Sequence, residues 1–201
     1  MKKLGLTLLT FALALAAGSG QAFGQAMPTS GATPPSSSYD LKARALVELQ
    51  ELQKQIVDLA QAVPAEKYTW RPADGVRSFS ELFLHVAGGN FGLTAVAGAP
   101  PSPGFKFQGF EKSTTDKAAV IEQLNKSFDY ARRSIEAMSD ADLHKPLKFQ
   151  DFKSSGDIVF HIVAHDHEHL GQSIAYARMN GVVPPWTAAA QKQGQPRPPQ
   201  E

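Results

Sequence analysis

The chain has 201 residues, with 20 Lys plus Arg against 19 Asp plus Glu, 42% hydrophobic residues and no cysteine. A charge balance this even predicts no phosphate-backbone footprint and argues against nucleic acid as a partner. Without cysteine there is no disulfide framework and no lipobox for a lipid anchor, so the fold must hold through its apolar core.

The first stretch, MKKLGLTLLTFALALAAGSGQAFGQA, reads as a secretory signal over 1–26. Lys2 and Lys3 precede an uncharged apolar run from Leu4 to Ala17, and small residues then offer cleavage near Ala22 or Ala26. The run falls short of the roughly 20 residues a membrane-spanning helix needs, so no stable membrane anchor is expected. Removal of the signal takes 20 basic residues to 18 against 19 acidic ones and predicts a periplasmic or secreted protein. Residues 27–38, MPTSGATPPSSS, have the composition of a flexible linker.

A helical domain is expected over 39–184. Its first helix spans 39–63, where Leu41, Ala45, Leu49, Leu52, Ile56, Leu59 and Val63 recur at spacings of three and four, and it stops at Pro64. A second begins at Ser78 or Ser80 and runs to about Val96. The connection over 97–113 carries Phe105, Phe107 and Phe110, which either pack on the rim of the domain or roof a pocket. A third helix follows the cap-like STTDK and reaches about Met138. A fourth starts near Ser155, with Asp157 in its first turn, and ends at Asn180 before Gly181 and Pro184. No alternating β-branched stretch competes. The fold class is therefore all-α, a four-helix bundle, followed by a disordered tail over 185–201.

The fourth helix holds HIVAHDHEHLGQ, with four of the six histidines of the chain. His165 and His169 lie about 40° apart on one face, close enough to bind one ion, and His161 lies about 40° to the other side. Gln172 falls on the same face, whereas His167 points elsewhere into solvent. Burying several imidazoles without an ion would leave many polar atoms to satisfy. His161 can be read as a fourth ligand, a donor behind the ligands or a rim residue. A third ligand must come from another helix. His144 sits in an exit loop, and His85 faces inward on the second helix beside Gly88, Gly89 and Gly92. By itself, His85 can be a hydrogen-bonded core residue or a ligand. Each helical glycine costs about 0.5–1 kcal/mol relative to alanine, so something must need the space. HDHEH also resembles the zinc-protease H-E-x-x-H, but Asp166 is one methylene short of the required base and no third ligand His lies downstream.

Taken together, these residues resemble the DinB-like (YfiT-like) metal-binding four-helix bundles. The family's second-helix histidine motif is matched by SFSELFLHVA at 78–87, and its segment before that helix by YTWRPADGVRS at 68–78. Its H-x-x-x-H, G-Q and Y-x-R-x-x-G-x-x-P-P pattern is matched by His165, His169, Gly171, Gln172, Tyr176, Arg178, Gly181, Pro184 and Pro185. Leu170 stands where an Arg is common, and Glu168 where an extra His is frequent.

The resemblance implies an up-down-down-up bundle with a divalent metal held by His85, His165 and His169; His161 and Gln172, on the same helix face, are the candidates for partners behind these ligands. Such a site keeps an open position, as catalytic zinc sites do, and is compatible with zinc, nickel, iron or manganese. Glu168 is the candidate catalytic proton acceptor.

Characterised relatives include thiol S-transferases and thiol-dependent isomerases. An exported copy meets little low-molecular-weight thiol, which favours a metal-dependent hydrolase or a transferase acting on an unidentified small molecule. The alternatives are a non-catalytic metal or small-molecule binding protein and a purely structural bundle. The oligomeric state, a homodimer included, is open. Proton competition at an imidazole of pKa about 6.5 predicts metal loss below roughly pH 5–6.

Overall fold

A computed structural model describes residues 40–194. The expected signal and linker, over 1–38, and the last part of the expected tail, over 195–201, lie outside the described residues.

Four long helices carry the fold: α1 (Leu41–Ala62), α2 (Phe79–Val96), α3 (Lys117–Ala137) and α5 (Ser155–Met179). A one-turn α4 (Asp140–Leu143), a hairpin of β1 (Pro146–Phe149) and β2 (Phe152–Ser154), and α6 (Pro185–Lys192) complete it. Each long helix starts where a side chain can accept an otherwise unpaired N–H. Asp40 caps α1 and Asp116 caps α3. Reciprocal capping boxes start α2, through Ser78 and Glu81, and α5, through Ser154 and Asp157. The second helix therefore begins at Ser78 and not at Ser80.

The apolar stripes meet in one core. Leu49, Leu52, Ile56 and Leu59 of α1, Phe79, Leu82, Phe83 and Val86 of α2, Leu124, Phe128 and Ile135 of α3, and Ile158, Val159 and Ile162 of α5 are all buried. α1 packs on α3 and α5, and α2 packs on the same two. Lys42 Nζ donates to the Met138 carbonyl at 2.9 Å, Gln53 to Asn125 at 3.2 Å, and Lys117 Nζ to the Gln61 carbonyl at 2.6 Å. Those contacts set α1 and α3 in opposite senses. Leu41 reaches Gly156, and Glu48 meets His167 at 3.2 Å, so α1 and α5 run the same way. Phe79 packs edge-on to Tyr176, and Gly89 lies against His165, so α2 and α5 are antiparallel.

Two elements depart from the sequence reading. The tail expected to be disordered from 185 onward is helical over Pro185–Lys192. Pro185 occupies a first-turn position where its missing N–H is harmless, and Ala188, Ala189 and Ala190 are strong helix formers. Trp186 packs on the core and α6 lies against α1, which supplies the tertiary support a helix of this length needs. The hairpin was also not expected. Its strands are too short for period-two alternation to register, and its turn uses Gln150 at φ 51° in place of a signalling glycine. Stacked Phe149 and Phe152 rings fasten it, and Phe152 lies 4.8 Å from the His161 ring. Among the described residues no helix is long and apolar enough to cross a membrane.

Candidate metal centre

α2 is buried over most of its circumference, so His85 faces the interior whichever way the wheel is drawn. Antiparallel packing brings it opposite His165 and His169 of α5. Their ring centroids lie 5.0 Å (His85–His165), 4.6 Å (His85–His169) and 4.5 Å (His165–His169) apart. One ring nitrogen from each falls within 4.8 Å of the other two.

Outer partners decide which nitrogens face the centre. His85 Nδ1 contacts Glu111 Oε1 at 2.5 Å, and Glu111 is gripped in turn by Arg77, at 2.8 Å from Nε and 3.2 Å from a terminal nitrogen. His169 Nδ1 contacts Gln172 Oε1 at 2.9 Å, while the Gln172 amide donates to the Tyr176 hydroxyl at 3.2 Å and so holds its oxygen toward the ring. Both contacts place the imidazole proton on Nδ1 and leave Nε2 as a lone pair toward the centre. His85 Nε2 and His165 Nε2 are 3.2 Å apart. Two nitrogens bound at about 2.0–2.1 Å to one tetrahedral zinc would stand roughly 3.3 Å apart, so the residues present fit such an ion.

Gly89 makes the arrangement possible. A Cβ there would lie 2.5 Å from His165 Cε1 and 3.0 Å from its Nδ1, an overlap with the ring itself. Gly88 makes room for the long connection, since a Cβ there would stand a tight 3.3 Å from the Phe110 ring, whereas one on Gly92 would meet that of Phe107 at 3.6 Å, an ordinary contact. Phe91, Phe105, Phe110 and Tyr130 line one side of a cavity of about 790 Å³ against α3. These aromatic residues therefore both pack on the rim and wall a pocket. Phe110 also opens a 3-10 turn, Phe110–Lys112, that carries Glu111 to His85. A second cavity, of about 540 Å³, is lined by Arg71, Arg77, Glu81, Glu111, Lys112 and Gln172.

Burial lowers the pKa of His85, assisted by Arg77, despite the opposing bond to Glu111. Burial holds His169 down to about 4. Glu111 is raised by burial but pulled below the usual carboxylate range by its bonds to Arg77 and His85. The His85 and His169 rings are therefore neutral at pH 7, the state a metal ligand requires.

The remaining expected site residues separate. Gln172 contacts His169 Nδ1 through its amide oxygen. His161 is half-buried against Phe152, with its ring 6.1 Å from that of His165, and it is outside the three-nitrogen group. Glu168 is exposed and makes no hydrogen bond to the three rings among the described residues. His144 and His167 are exposed, as expected. Sequence reasoning missed Glu111 and Asp166. Glu111 lies in a loop without periodicity and is brought in only through the anchoring of Phe110 on Gly88. Asp166 was weighed solely as a protease base, yet it is wholly buried behind His165.

The chain belongs to the DinB superfamily, whose family model matches residues 48–173. That span includes all three histidines, Glu111 and Gln172. The fold is similar to that of a solved DinB-like protein from Bacillus cereus ATCC 10987, at TM-score 0.61 and 14% identity, covering 70% of this chain and 93% of that one. No curated protein matches the chain.

Proposed function

We propose that His85, His165 and His169 hold one divalent cation, of the zinc, nickel, iron or manganese class, and that the chain is a metal-dependent hydrolase or transferase of a small molecule. The observation that carries this reading is the convergence of three ring nitrogens within 4.8 Å, with the far nitrogens of two rings committed to Glu111 and Gln172. The two rings so committed, His85 and His169, each turn an Nε2 lone pair toward the centre, where a cation would take both. A divalent ion in such a site supplies Lewis acidity. The chain's own groups do the rest. Arg77 and Glu111 fix His85, Gln172 fixes His169, and the cationic cavity beside them leaves room for a substrate. Glu111 is already engaged by three hydrogen bonds. Glu168 is unengaged and close enough to favour the protonated forms of His161 and His169, so the proton-accepting role falls to it.

An up-down-down-up four-helix bundle is the architecture proposed for the domain, supported by the opposed senses of α1 with α3 and of α2 with α5, and by the shared sense of α1 with α5. Export through residues 1–26 is proposed from their composition alone, and the mass of the mature N-terminus in cell fractions tests it.

Elemental analysis of protein purified from cells tests the centre. Wild type is expected to carry about one equivalent of a first-row divalent metal and His169→Ala to lose it, since two histidines make a weak site. Wild type free of metal and unable to take up zinc would overturn the reading. If the zinc- or nickel-loaded protein turns over no ester, amide, lactone or thiol adduct, non-catalytic binding replaces catalysis as the function.

A further inference from the structure

The metal reading leaves one imidazole without an outer partner. His85 is held by Glu111 and His169 by Gln172, but among the described residues the buried His165 Nδ1 makes no hydrogen bond. The next residue, Asp166, has no exposed surface, and neither of its carboxylate oxygens has a partner. These unsatisfied groups lie together, with His165 Nδ1 3.6 Å from Asp166 Oδ1. That separation is somewhat longer than a hydrogen bond, and a few tenths of an ångström of side-chain movement closes it.

An unpaired buried carboxylate is among the costliest groups a core can hold. The surroundings do not compensate it. Asn90 of α2 stands nearby with its own oxygen unpartnered among the described residues, and its amide donates to Ser127 at 3.4 Å. Asn90 is close enough to favour the charged carboxylate but lies outside hydrogen-bond geometry with it. A proton on His165 Nδ1 would satisfy both orphaned groups at once. It would also leave Nε2 of the third ring as a lone pair toward the centre, matching the other two.

We propose that Asp166 is the positioning residue of His165. Its carboxylate accepts the Nδ1 proton, selects the tautomer that turns Nε2 to the cation, and places a negative charge beside an ion otherwise held by neutral rings. The inference rests on the three-histidine reading. Gly89 completes the clamp by confining the ring from the α2 side, so Asp166 and the backbone of α2 fix one imidazole between them. The competing role is structural, with Asp166 serving only the Asn90 cluster.

The test uses the full chain at pH 7.5 with Asp166→Asn and Asp166→Leu. Asparagine keeps an acceptor oxygen and removes the charge. Leucine removes both and needs no polar partner, so it reports even if the asparagine variant folds poorly. Nitrogen-15 spectra of the metal-free wild type are expected to show His165 protonated on Nδ1, with reversion to the Nε2–H form in the leucine variant. Zinc affinity, read by competition with a chromophoric chelator, is expected to fall about 10–100-fold, the usual cost of losing an outer partner.

An Nε2–H form of His165 in wild type overturns the proposal. So does zinc affinity within about twofold of wild type in both variants. A lowered melting temperature with an unchanged tautomer assigns Asp166 to the structural role instead. If wild type binds no zinc yet the tautomer switches on substitution, the metal reading fails while the Asp166–His165 pairing stands.

Discussion

His169 shows what burial does to an imidazole. Its folded pKa of about 4 lies below the ordinary 6.5, and that of His85 is displaced in the same direction. Between these values the unfolded chain binds more protons than the folded one, so the contribution of these groups is complete above pH 6.5 and declines as pH falls toward 4. Asp166 acts oppositely: burial raises it from 3.8 to about 6, so its contribution is present below 3.8 and lost as pH rises through 6. With two depressed imidazoles against one raised carboxyl, the melting temperature of the metal-free protein should fall on acidification from pH 6.5 to 4. A flat or rising profile would contradict the burial of the rings. The same depression means that protons displace metal at lower pH than the 5–6 expected from free imidazole. At this scale the sequence was most legible where two residues share one helix. The His165–His169 spacing is a property of α-helical geometry alone, and Gln172 followed from it. Glu111 and Asp166 were not legible, because one is delivered by an irregular loop and the other's burial depends on which neighbours close over it.

Two helical glycines of equal intrinsic cost have different surroundings. Gly89 of α2 abuts the His165 ring, whereas Gly171 of α5 has nothing within 4 Å of where a Cβ would sit. Gly171→Ala should therefore stabilise the protein by about 0.5–1 kcal/mol, read by denaturant unfolding, and leave zinc affinity unchanged. Gly89→Ala should push the imidazole aside and weaken zinc binding by about 10-fold or more, as loss of a positioning contact does. Equal zinc affinity in the two variants would show that the ring has other room. The helix starts were legible because Ser78 and the STTDK stretch advertise caps chemically, and the fourth start, expected near Ser155, lies one residue past its cap Ser154. Three glycines in α2 signalled a need for space without saying for what, and the structure divides them between one imidazole and two phenylalanines. The hairpin and α6 escaped because each depends on tertiary support, Phe152 against His161 and Trp186 against the core, which no local pattern records.

For the molecule as a whole, an ion that binds only the folded state should raise stability by about 2.7 kcal/mol when free metal is 100 times its dissociation constant. In a domain of this size that corresponds to roughly 5–10 °C in Tm. Excess chelator should remove the gain from wild type and change nothing in His169→Ala. Identical melting curves with and without chelator at pH 7.5 would deny that the centre is coupled to the fold.

His85 and His165 stand 80 positions apart in the chain, with all of α3 between them. A ligand set divided so widely comes together only after a long segment has closed on itself, late in assembly. Zinc should therefore leave the refolding rate of the protein nearly unaltered and slow its unfolding in stopped-flow experiments. The centre would then serve as a lock applied to the finished molecule and not as a nucleus around which it gathers. Acceleration of refolding by zinc would mean that α2 and α5 find each other early.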